Sequence, residues 1–399
     1  MNIFRNLFKK DIGSGFQFLL PKKYSTNRAN KSLMADAYNK WIYICVSKNA
    51  DAVASQTLRL IANTKNIKQK YKEINIKEYK HHKSLMANRK FKAVDNYVEI
   101  VEHPFLQLLE KPLKGETQYS TMYAIVTNLE LFGVSYILLN KSETLGIPLS
   151  MQVLHSQYVT YTVDNITQEI QEYTYGFGIK QQKISPEDII VIKYYSPYSD
   201  TDGFAPLQSV FDSYTLDNSF DEYQLALNKN SGNPSAIIKY NNSPLKKEDR
   251  DALEASWNKT LGGLSNSGKA KVIGGDFSIE KLGLAPKDLD FINGRRVAKE
   301  TILSAFGVPI PFVDAKETNR ESFKTAMLQY QMFTIEPKIK QIVDELNVKL
   351  LSIYGEDRLY LTYDDPVEAR HEQIVDNAIK LLNANIISVE EARDQIFNS

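Results

Sequence analysis

The sequence contains a single cysteine, Cys45, among 399 residues. One cysteine forms no internal disulfide and builds no thiolate metal cluster. The five histidines form no H-E-x-x-H pattern, and His81 and His82 are merely adjacent. These absences remove the usual signs of a disulfide-stapled domain and of a zinc site, and we expect no cofactor. Cys45 lies in the segment WIYICVSKNA, where we expect it to be a buried small apolar residue.

Long apolar runs and an excess of one charge are also absent. No stretch reaches the eighteen or so apolar residues of a membrane span. Charged residues interrupt the N-terminal segment too often for a secretory signal. We expect residues 1–29 to form a structural arm and no membrane to be a partner, and the alternative is an amphipathic helix on a membrane surface. With 49 basic and 48 acidic residues, the chain is unlike a histone-like or tail-like nucleic-acid binder.

One local segment is strongly basic. Between Asn63 and Val94, ten Lys or Arg residues stand against two Glu residues, a net charge of +8. Two interpretations remain open: a solvated insertion with short strands, or a surface that meets an acidic partner.

The first half of the chain predicts a mixed α/β unit. Residues 33–61 have helical spacing of apolar side chains. A helix is expected from Thr117 to Gly133, followed by the strand SYILLN. Several alternating segments rich in Tyr, Val and Ile then predict strands up to about residue 200.

The second half predicts two long helices around a small insert. One helix is expected from Asp202 to Gly232 and another from Pro286 to Gly307, with strands and a helix in residues 235–285 between them. A further helical tract should run from Ser322 to Tyr354, with Pro337 kinking or splitting it. The strand RLYLTYDDP and two small helices follow, and Ser388 with Glu391 forms a capping box for the second of these helices.

The stretch GGLSNSGKAK resembles a phosphate-binding loop, because Gly263–Lys269 follows the pattern G-x-x-x-x-G-K. Ala270 stands where such a loop needs Ser or Thr for magnesium. The expected order is helix, loop, strand, so no helix N-terminus points at the glycines. A tight turn is the favoured interpretation, and a nucleotide-dependent enzyme that uses Gly263–Lys269 is kept as the alternative.

Several motifs, taken in order, resemble the portal proteins of tailed, long-tailed-type bacteriophages. The most specific series begins at SNSGK, continues through the Gly-Gly and Asp-x-x-Phe steps, and ends at FGVP (residues 306–309). Other matching segments are HPFLQLLEKP, LFGVSYILL, DGFAPLQSV, NSGNPSAII and TNRESF. Val134, Ser135 and Ala205 depart from the family pattern.

The resemblance implies an α+β portal-type fold and a ring, usually of twelve subunits, with DNA passing through its centre. The implied layout is an arm (1–29), an α/β wing (30–203), stem helix 1 (204–233), a clip (234–285), stem helix 2 (286–307), a tunnel loop (308–321), a kinked wing helix and strand (322–365) and a short helical crown (366–399).

The resemblance also assigns roles to residues. The tunnel loop would offer Lys316, Thr318, Asn319 and Arg320 to DNA. The channel wall of stem helix 1 would carry Asp212, Asp217, Asp221 and Glu222, whose negative charge would let a duplex slide. An ordinary solvated helix face explains these four acids equally well. Motor docking on the clip would use Lys246, Lys247, Asp249, Arg250 and Lys271. Arg295 and Arg296 would pair with acidic residues of the neighbouring subunit.

The function implied is that of a non-enzymatic portal at one capsid vertex, present in the virion and in the host cytoplasm during assembly. Its partners would be copies of itself, double-stranded DNA bound without sequence specificity, the large terminase, a major capsid or scaffold protein, and a head–tail adaptor. A capsid or adhesion component without a channel is a further possibility, and imaging for a central hole distinguishes it.

Overall fold

A computed structural model of the chain describes residues 28–63, 73–75, 97–164, 166, 169–177, 180–229, 236–240, 247–248, 251–252, 255, 277–281, 291–314, 320–355, 358–364, 375, 378–384, 386–389 and 391–393. The chain divides into two compact units. Unit 1 takes Met1–Ser209 and Ala305–Ser399, and unit 2 takes Val210–Ser304.

Unit 1 begins with two helices and a strand. Helix α1 spans Arg28–Asp36, α2 spans Lys40–Ala54 and β1 spans Leu58–Asn63. The helical prediction for residues 33–61 is therefore wrong in its last part. The reason is tertiary: β1 is a central strand with hydrogen-bonded neighbours on both sides, which helical spacing alone does not reveal.

The first sheet of unit 1 joins distant parts of the chain. Its strands are β1, β2 (Glu73–Asn75), β3 (Tyr97–Ile100) and β12 (Leu359–Tyr363), in the antiparallel order β12-β1-β3-β2. Arg59 of β1 ties three segments together, because its guanidinium donates to both oxygens of Asp364, at 2.7 and 3.0 Å, and to Glu99 at 3.0 Å.

Two more helices follow β3, α3 (Pro104–Glu110) and α4 (Gln118–Phe132). The predicted ends of α4 are confirmed. Thr117 Oγ1 accepts from the Ser120 N–H at 3.2 Å, and Ser120 Oγ accepts from the Thr117 N–H at 2.9 Å. Gly133 ends the helix with a left-handed φ of 74°. Helix α4 packs against α2. Cys45 of α2 is buried as expected, and Ile125 of α4 is buried as well.

Two small antiparallel sheets complete the strands of unit 1. One has the order β5-β4-β9, with β4 Val134–Lys141, β5 Pro148–Leu154 and β9 Ile189–Lys193. The other has the order β6-β7-β8, with β6 Val159–Val163, β7 Ile170–Phe177 and β8 Lys180–Ile184.

Two glycines make a backbone-to-backbone contact in unit 1. A Cβ on Gly203 would lie 1.8 Å from the carbonyl oxygen of Gly133, and a Cβ on Gly133 would lie 2.6 Å from the Gly203 carbonyl carbon. Both glycines belong to segments that carry the family resemblance, LFGVSYILL and DGFAPLQSV. The turn after α4 therefore packs directly on the chain that leads to the next helices.

The predicted single helix from Asp202 to Gly232 is wrong at its start. Residues 202–205 are not helical, and the helix is divided at Val210 into α5 (Pro206–Ser209) and α6 (Phe211–Lys229). Gln208 explains the start, because its side-chain oxygen accepts from the Ala205 N–H at 2.7 Å and so caps the first turn. Pro206 needs no hydrogen-bond partner there.

Unit 2 contains α6, strands β10 (Ala236–Tyr240) and β11 (Phe277–Lys281), and helix α7 (Phe291–Phe306) up to the end of the unit. The strands form an antiparallel pair from Ala236↔Lys281 to Tyr240↔Phe277. Residues 247–248, 251–252 and 255 are helical.

The last helical tract of unit 1 is interrupted before Pro337. It consists of α8 (Arg320–Tyr330), a π-helical turn (Gln331–Ile335), α9 (Glu336–Lys349) and a 3₁₀ turn (Leu351–Tyr354). Pro337 stands in the first turn of α9, and the wider π turn takes up the interruption that a proline causes.

Near the C-terminus the predicted capping box is confirmed. The Ser388 N–H donates to Glu391 Oε2 at 2.8 Å, and the Glu391 N–H donates to Ser388 Oγ at 3.2 Å.

Candidate functional site

The base of the predicted tunnel loop is anchored within unit 1. The carbonyl of Phe306 accepts from Asn49 Nδ2 at 2.9 Å, and the carbonyl of Gly307 accepts from Thr334 Oγ1 at 2.8 Å. Further along, the Phe312 ring packs edge-on against Tyr330, with centroids 5.0 Å apart. The segment that follows α7 is therefore attached to α2, α8 and the π turn before it reaches the exposed Arg320.

Gly307 makes the anchor to Thr334 possible. Its φ of 69° is left-handed, and a Cβ at this position would lie 2.4 Å from Thr334 Oγ1. A side chain here would be strained and would displace Thr334. The Gly of the Phe-Gly-Val-Pro motif therefore lets the chain turn sharply at the end of α7, against the π turn.

A buried ion pair lies in the same part of unit 1. Glu130 of α4 is completely buried, and its Oε1 is 2.6 Å from Lys338 Nζ. Asn49 Nδ2 and the Tyr194 hydroxyl each donate to the same oxygen at 3.4 Å. The Tyr330 hydroxyl in turn donates to Asn49 Oδ1 at 2.8 Å. This set, which we call the Glu130 network, shares Asn49 and Tyr330 with the loop base.

Burial keeps the tyrosines of the network protonated. Loss of solvent raises the pKa of the Tyr194 and Tyr330 hydroxyls, and the negative charge of Glu130 raises each pKa further. Both hydroxyls therefore act as donors, which the carboxylate and the amide oxygen need. In the sequence, the signal for this network is Glu130 itself, an acid inside the apolar helical segment NLELFG. An acid in such a segment is buried, and a buried carboxylate requires a partner.

In unit 2 the two long helices are joined by Arg295. Its guanidinium lies 3.3 Å from Asp217 and 2.8 Å from Asp221, and the Asp217 side chain is only 3% exposed. The helices approach closely beside this contact, since a Cβ on Gly294 would lie 2.9 Å from the Phe220 ring. These two partners belong to the same chain as Arg295, and its pairing with a neighbouring subunit stays a prediction.

The other predicted stem residues are exposed. Asp212 and Glu222 lie on the surface of α6. Arg296 is 65% exposed and reaches Glu300 only at 4.0 Å. An exposed pair at that distance contributes little. The structure thus separates the six predicted residues into a paired set, Asp217, Asp221 and Arg295, and an exposed set, Asp212, Glu222 and Arg296.

Removal of Arg295 should destabilise unit 2. We expect Arg295→Met to lower the free energy of unfolding by about 1–3 kcal/mol, because it leaves the Asp217 carboxylate buried without its cation. Urea unfolding measures the loss. Arg320→Met is the matched control at an exposed position and should change stability by less than about 0.5 kcal/mol. Equal effects of the two variants would contradict the role given to Arg295.

Other predicted residues lie outside the described part of the chain. These are Lys316, Thr318 and Asn319 of the loop, Lys246, Asp249, Arg250 and Lys271 of the clip, and the glycine-rich segment Gly263–Lys269. Lys247 is described and is exposed on a helical turn. Among the described residues, no group of three His, Cys, Asp or Glu is placed to hold a metal, and no helix has the length and apolar character to cross a membrane.

Comparison with solved structures identifies the fold. A chain from the virion of a native gene transfer agent particle matches with a TM-score of 0.61 and 21% identity, over 94% of this chain and 95% of that chain. A chain from the neck of the native particle, computed with C12 symmetry, matches with a TM-score of 0.60 and 21% identity over 93% of both chains. An HK97 family phage portal protein from Corynebacterium diphtheriae matches with a TM-score of 0.55 and 15% identity, over 85% and 95%.

Comparison of sequences identifies the family. Uncharacterised proteins of Rickettsia bellii and Rickettsia felis are each 25% identical over 302 residues, which is 74% of this chain and 77% of each relative. The model of the phage portal protein family matches residues 83–396. That family is one of structural proteins, and the chain belongs to it.

Proposed function

We propose that copies of this chain form a ring at one vertex of a capsid, and that double-stranded DNA enters and leaves through the ring. The observation that carries the proposal is the match over nearly the whole chain to chains of a virion and its neck. The neck of the native particle was computed with C12 symmetry, and a ring of twelve subunits here would agree with it. The virion vertex would be the final location, after assembly in the host cytoplasm.

The helix pair of unit 2 supports a channel wall. Helix α6 carries four acidic residues and one lysine. Arg295 compensates two of the acids, so Glu222 and Asp212 supply the exposed negative charge. A duplex bears a phosphate charge about every 1.7 Å of axis, and a wall that repels it makes no tight contacts that would slow its passage. We assign Glu222 to this wall.

Partner proteins would meet other parts of the ring. We assign the clip, residues 234–285 with Lys246, Lys247, Asp249, Arg250 and Lys271, to the large terminase during packaging and to the head–tail adaptor afterwards. The outer wing, with its basic stretch at 63–92, would face the major capsid or scaffold protein.

Electron microscopy of the purified protein tests the proposal. Negative-stain images should contain rings with a central hole. A compact monomer under all assembly conditions, or closed particles without a hole, would overturn it.

The tunnel loop gives a second test. We expect deletion of Asp314–Asn319 to leave rings intact and to reduce the DNA packaged per capsid, because Lys316 and Asn319 are lost while the anchors at Phe306, Gly307 and Phe312 remain. Packaged DNA is measured by nuclease protection in capsids assembled with the terminase. The matched control replaces the same six residues by glycine and serine, which preserves the span of the loop but not its side chains. Normal packaging by both variants would contradict the assignment.

A further inference from the structure

His103 caps helix α3 with its imidazole ring. Its Nδ1 accepts from the Phe105 N–H at 3.0 Å, and its carbonyl accepts from the Gln107 N–H at 3.1 Å. Pro104 stands at the first helical position and has no N–H that needs a partner. The Phe105 N–H is therefore the first donor of α3 that must be satisfied from outside the helix, and the ring of His103 satisfies it.

This cap requires a neutral imidazole. A ring nitrogen that accepts a hydrogen bond carries no proton, so the proton of the ring is on Nε2, and in the imidazolium both ring nitrogens are donors. Serine, threonine and asparagine are the more usual caps, and their acceptor oxygen does not titrate. A histidine cap differs from them, because histidine changes its charge in the range between pH 5 and 8.

The surroundings of His103 make protonation in place unfavourable. The residue is 2% exposed, and its ring packs edge-on against Tyr354, with centroids 5.5 Å apart. Phe105 is completely buried, so its N–H would lose its acceptor without gaining water if the ring became charged. The positive end of α3 also repels an imidazolium. A charged ring and a closed cap therefore exclude each other.

Two other titratable side chains lie beside His103. Tyr354 faces the ring from the 3₁₀ turn, and burial raises the pKa of its hydroxyl to about 12, so it stays neutral. Glu102 precedes His103 in the chain and is exposed, so solvent screens its charge. The charge that decides whether the cap is closed is therefore that of the His103 ring.

Helix α3 covers apolar side chains and part of a sheet. Phe105, Leu108 and Leu109 are buried, and the Phe105 ring packs edge-on against Tyr354, with centroids 5.8 Å apart. Just after α3, the Pro112 carbonyl accepts from the Met151 N–H of β5 at 2.9 Å. Opening of α3 would therefore expose three large apolar side chains and disturb the attachment of this segment to β5.

We propose that His103 is an acid-sensitive switch of unit 1, in which uptake of a proton at Nδ1 breaks the cap and opens α3. In the open form the ring takes up this proton near pH 6.5, as histidine in water does, and in the closed form it does not. Opening becomes more favourable as the pH falls, by up to tenfold for each pH unit below about 6.5. A return to neutral pH closes the cap again. The switch lies within one chain and does not depend on the proposed ring.

Amide hydrogen exchange of the full chain, followed by mass spectrometry, tests the switch. Exchange in peptides that cover residues 104–110, corrected for the intrinsic effect of pH, should rise by about tenfold or more between pH 7.5 and pH 5. His103→Asn is the matched control, because asparagine caps a helix with an oxygen that does not titrate. This variant should match the unmodified protein at pH 7.5 and should not open at pH 5. An equal rise in both proteins would overturn the inference.

The charge of His103 itself supplies a second measurement, which needs no variant and so decides the question if His103→Asn does not fold. The ring hydrogen between the two nitrogens exchanges slowly with deuterium, at a rate that reports the charge of each histidine. His155 is exposed and is the internal reference. We expect His103 to become charged only together with the opening of α3. A ring that is charged at pH 5 while the α3 amides stay protected would refute the switch, and so would a neutral ring in an open α3.

Discussion

Replacement of Gly203 by alanine is expected to lower the free energy of unfolding of unit 1 by about 3 kcal/mol or more. The new Cβ would lie 1.8 Å from the carbonyl oxygen of Gly133 and 2.5 Å from its carbonyl carbon. These are backbone atoms at the end of α4, and that same oxygen accepts from the Tyr194 N–H at 2.8 Å. The Gly133 carbonyl cannot move away without disturbing this hydrogen bond at the start of β4. Urea unfolding measures the loss.

Gly146→Ala is the control for this prediction. Gly146 has a left-handed φ of 68°, but a Cβ there meets nothing within 4 Å. The control should therefore cost only the backbone strain, about 1 kcal/mol. If Gly203→Ala were no more destabilising than Gly146→Ala, the close contact between Gly133 and Gly203 would not exist in solution.

These two glycines also show how far the sequence predicts the fold. Each belongs to a motif that resembles the portal family, and the helix end at Gly133 follows from the sequence alone. Their mutual contact does not, because the two positions are seventy residues apart and local patterns carry no information on which distant segments meet.

The missed strands have the same cause. Residues 58–63 follow a helix with apolar residues at helical spacing, and only their pairing with β12 and β3 makes them a central strand. Strand β8 has the sequence KQQKI, with four exposed residues, and forms as an edge strand through its hydrogen bonds to β7. Neither segment shows the alternation by which a half-buried strand is predicted.

Charged residues of the candidate site were harder to interpret than the fold. The sequence placed Asp217, Asp221 and Arg295 on two long helices, and it could not distinguish partners in one chain from partners in two. The Glu130 network was missed altogether, since its members come from five separate segments of unit 1. The fold brings Glu130 and Lys338 together although more than two hundred residues separate them in the sequence.

The largest effect of charge should therefore come from Lys338. We expect Lys338→Met to destabilise unit 1 by about 3–5 kcal/mol, because it leaves the Glu130 carboxylate fully buried without its cation. Lys183→Met, at a lysine 77% exposed and paired with Glu172, should change stability by less than about 1 kcal/mol. Urea unfolding measures both variants.

Lys338→Met lowers the free energy of unfolding because it leaves the charge of Glu130 unpaired. A double-mutant cycle separates the effect of this unpaired charge from the effect of the lost packing. Glu130→Leu removes the carboxylate, so Glu130→Leu/Lys338→Met should be more stable than Lys338→Met alone, by about 1–4 kcal/mol. If the stability losses of the two single variants simply added in the double variant, the network would be contradicted.

Asn49 and Tyr330 join the Glu130 network to Phe306 and Phe312. Lys338→Met should therefore also loosen the loop base, which would be seen as faster amide exchange near Gly307. The double variant should reverse part of that change.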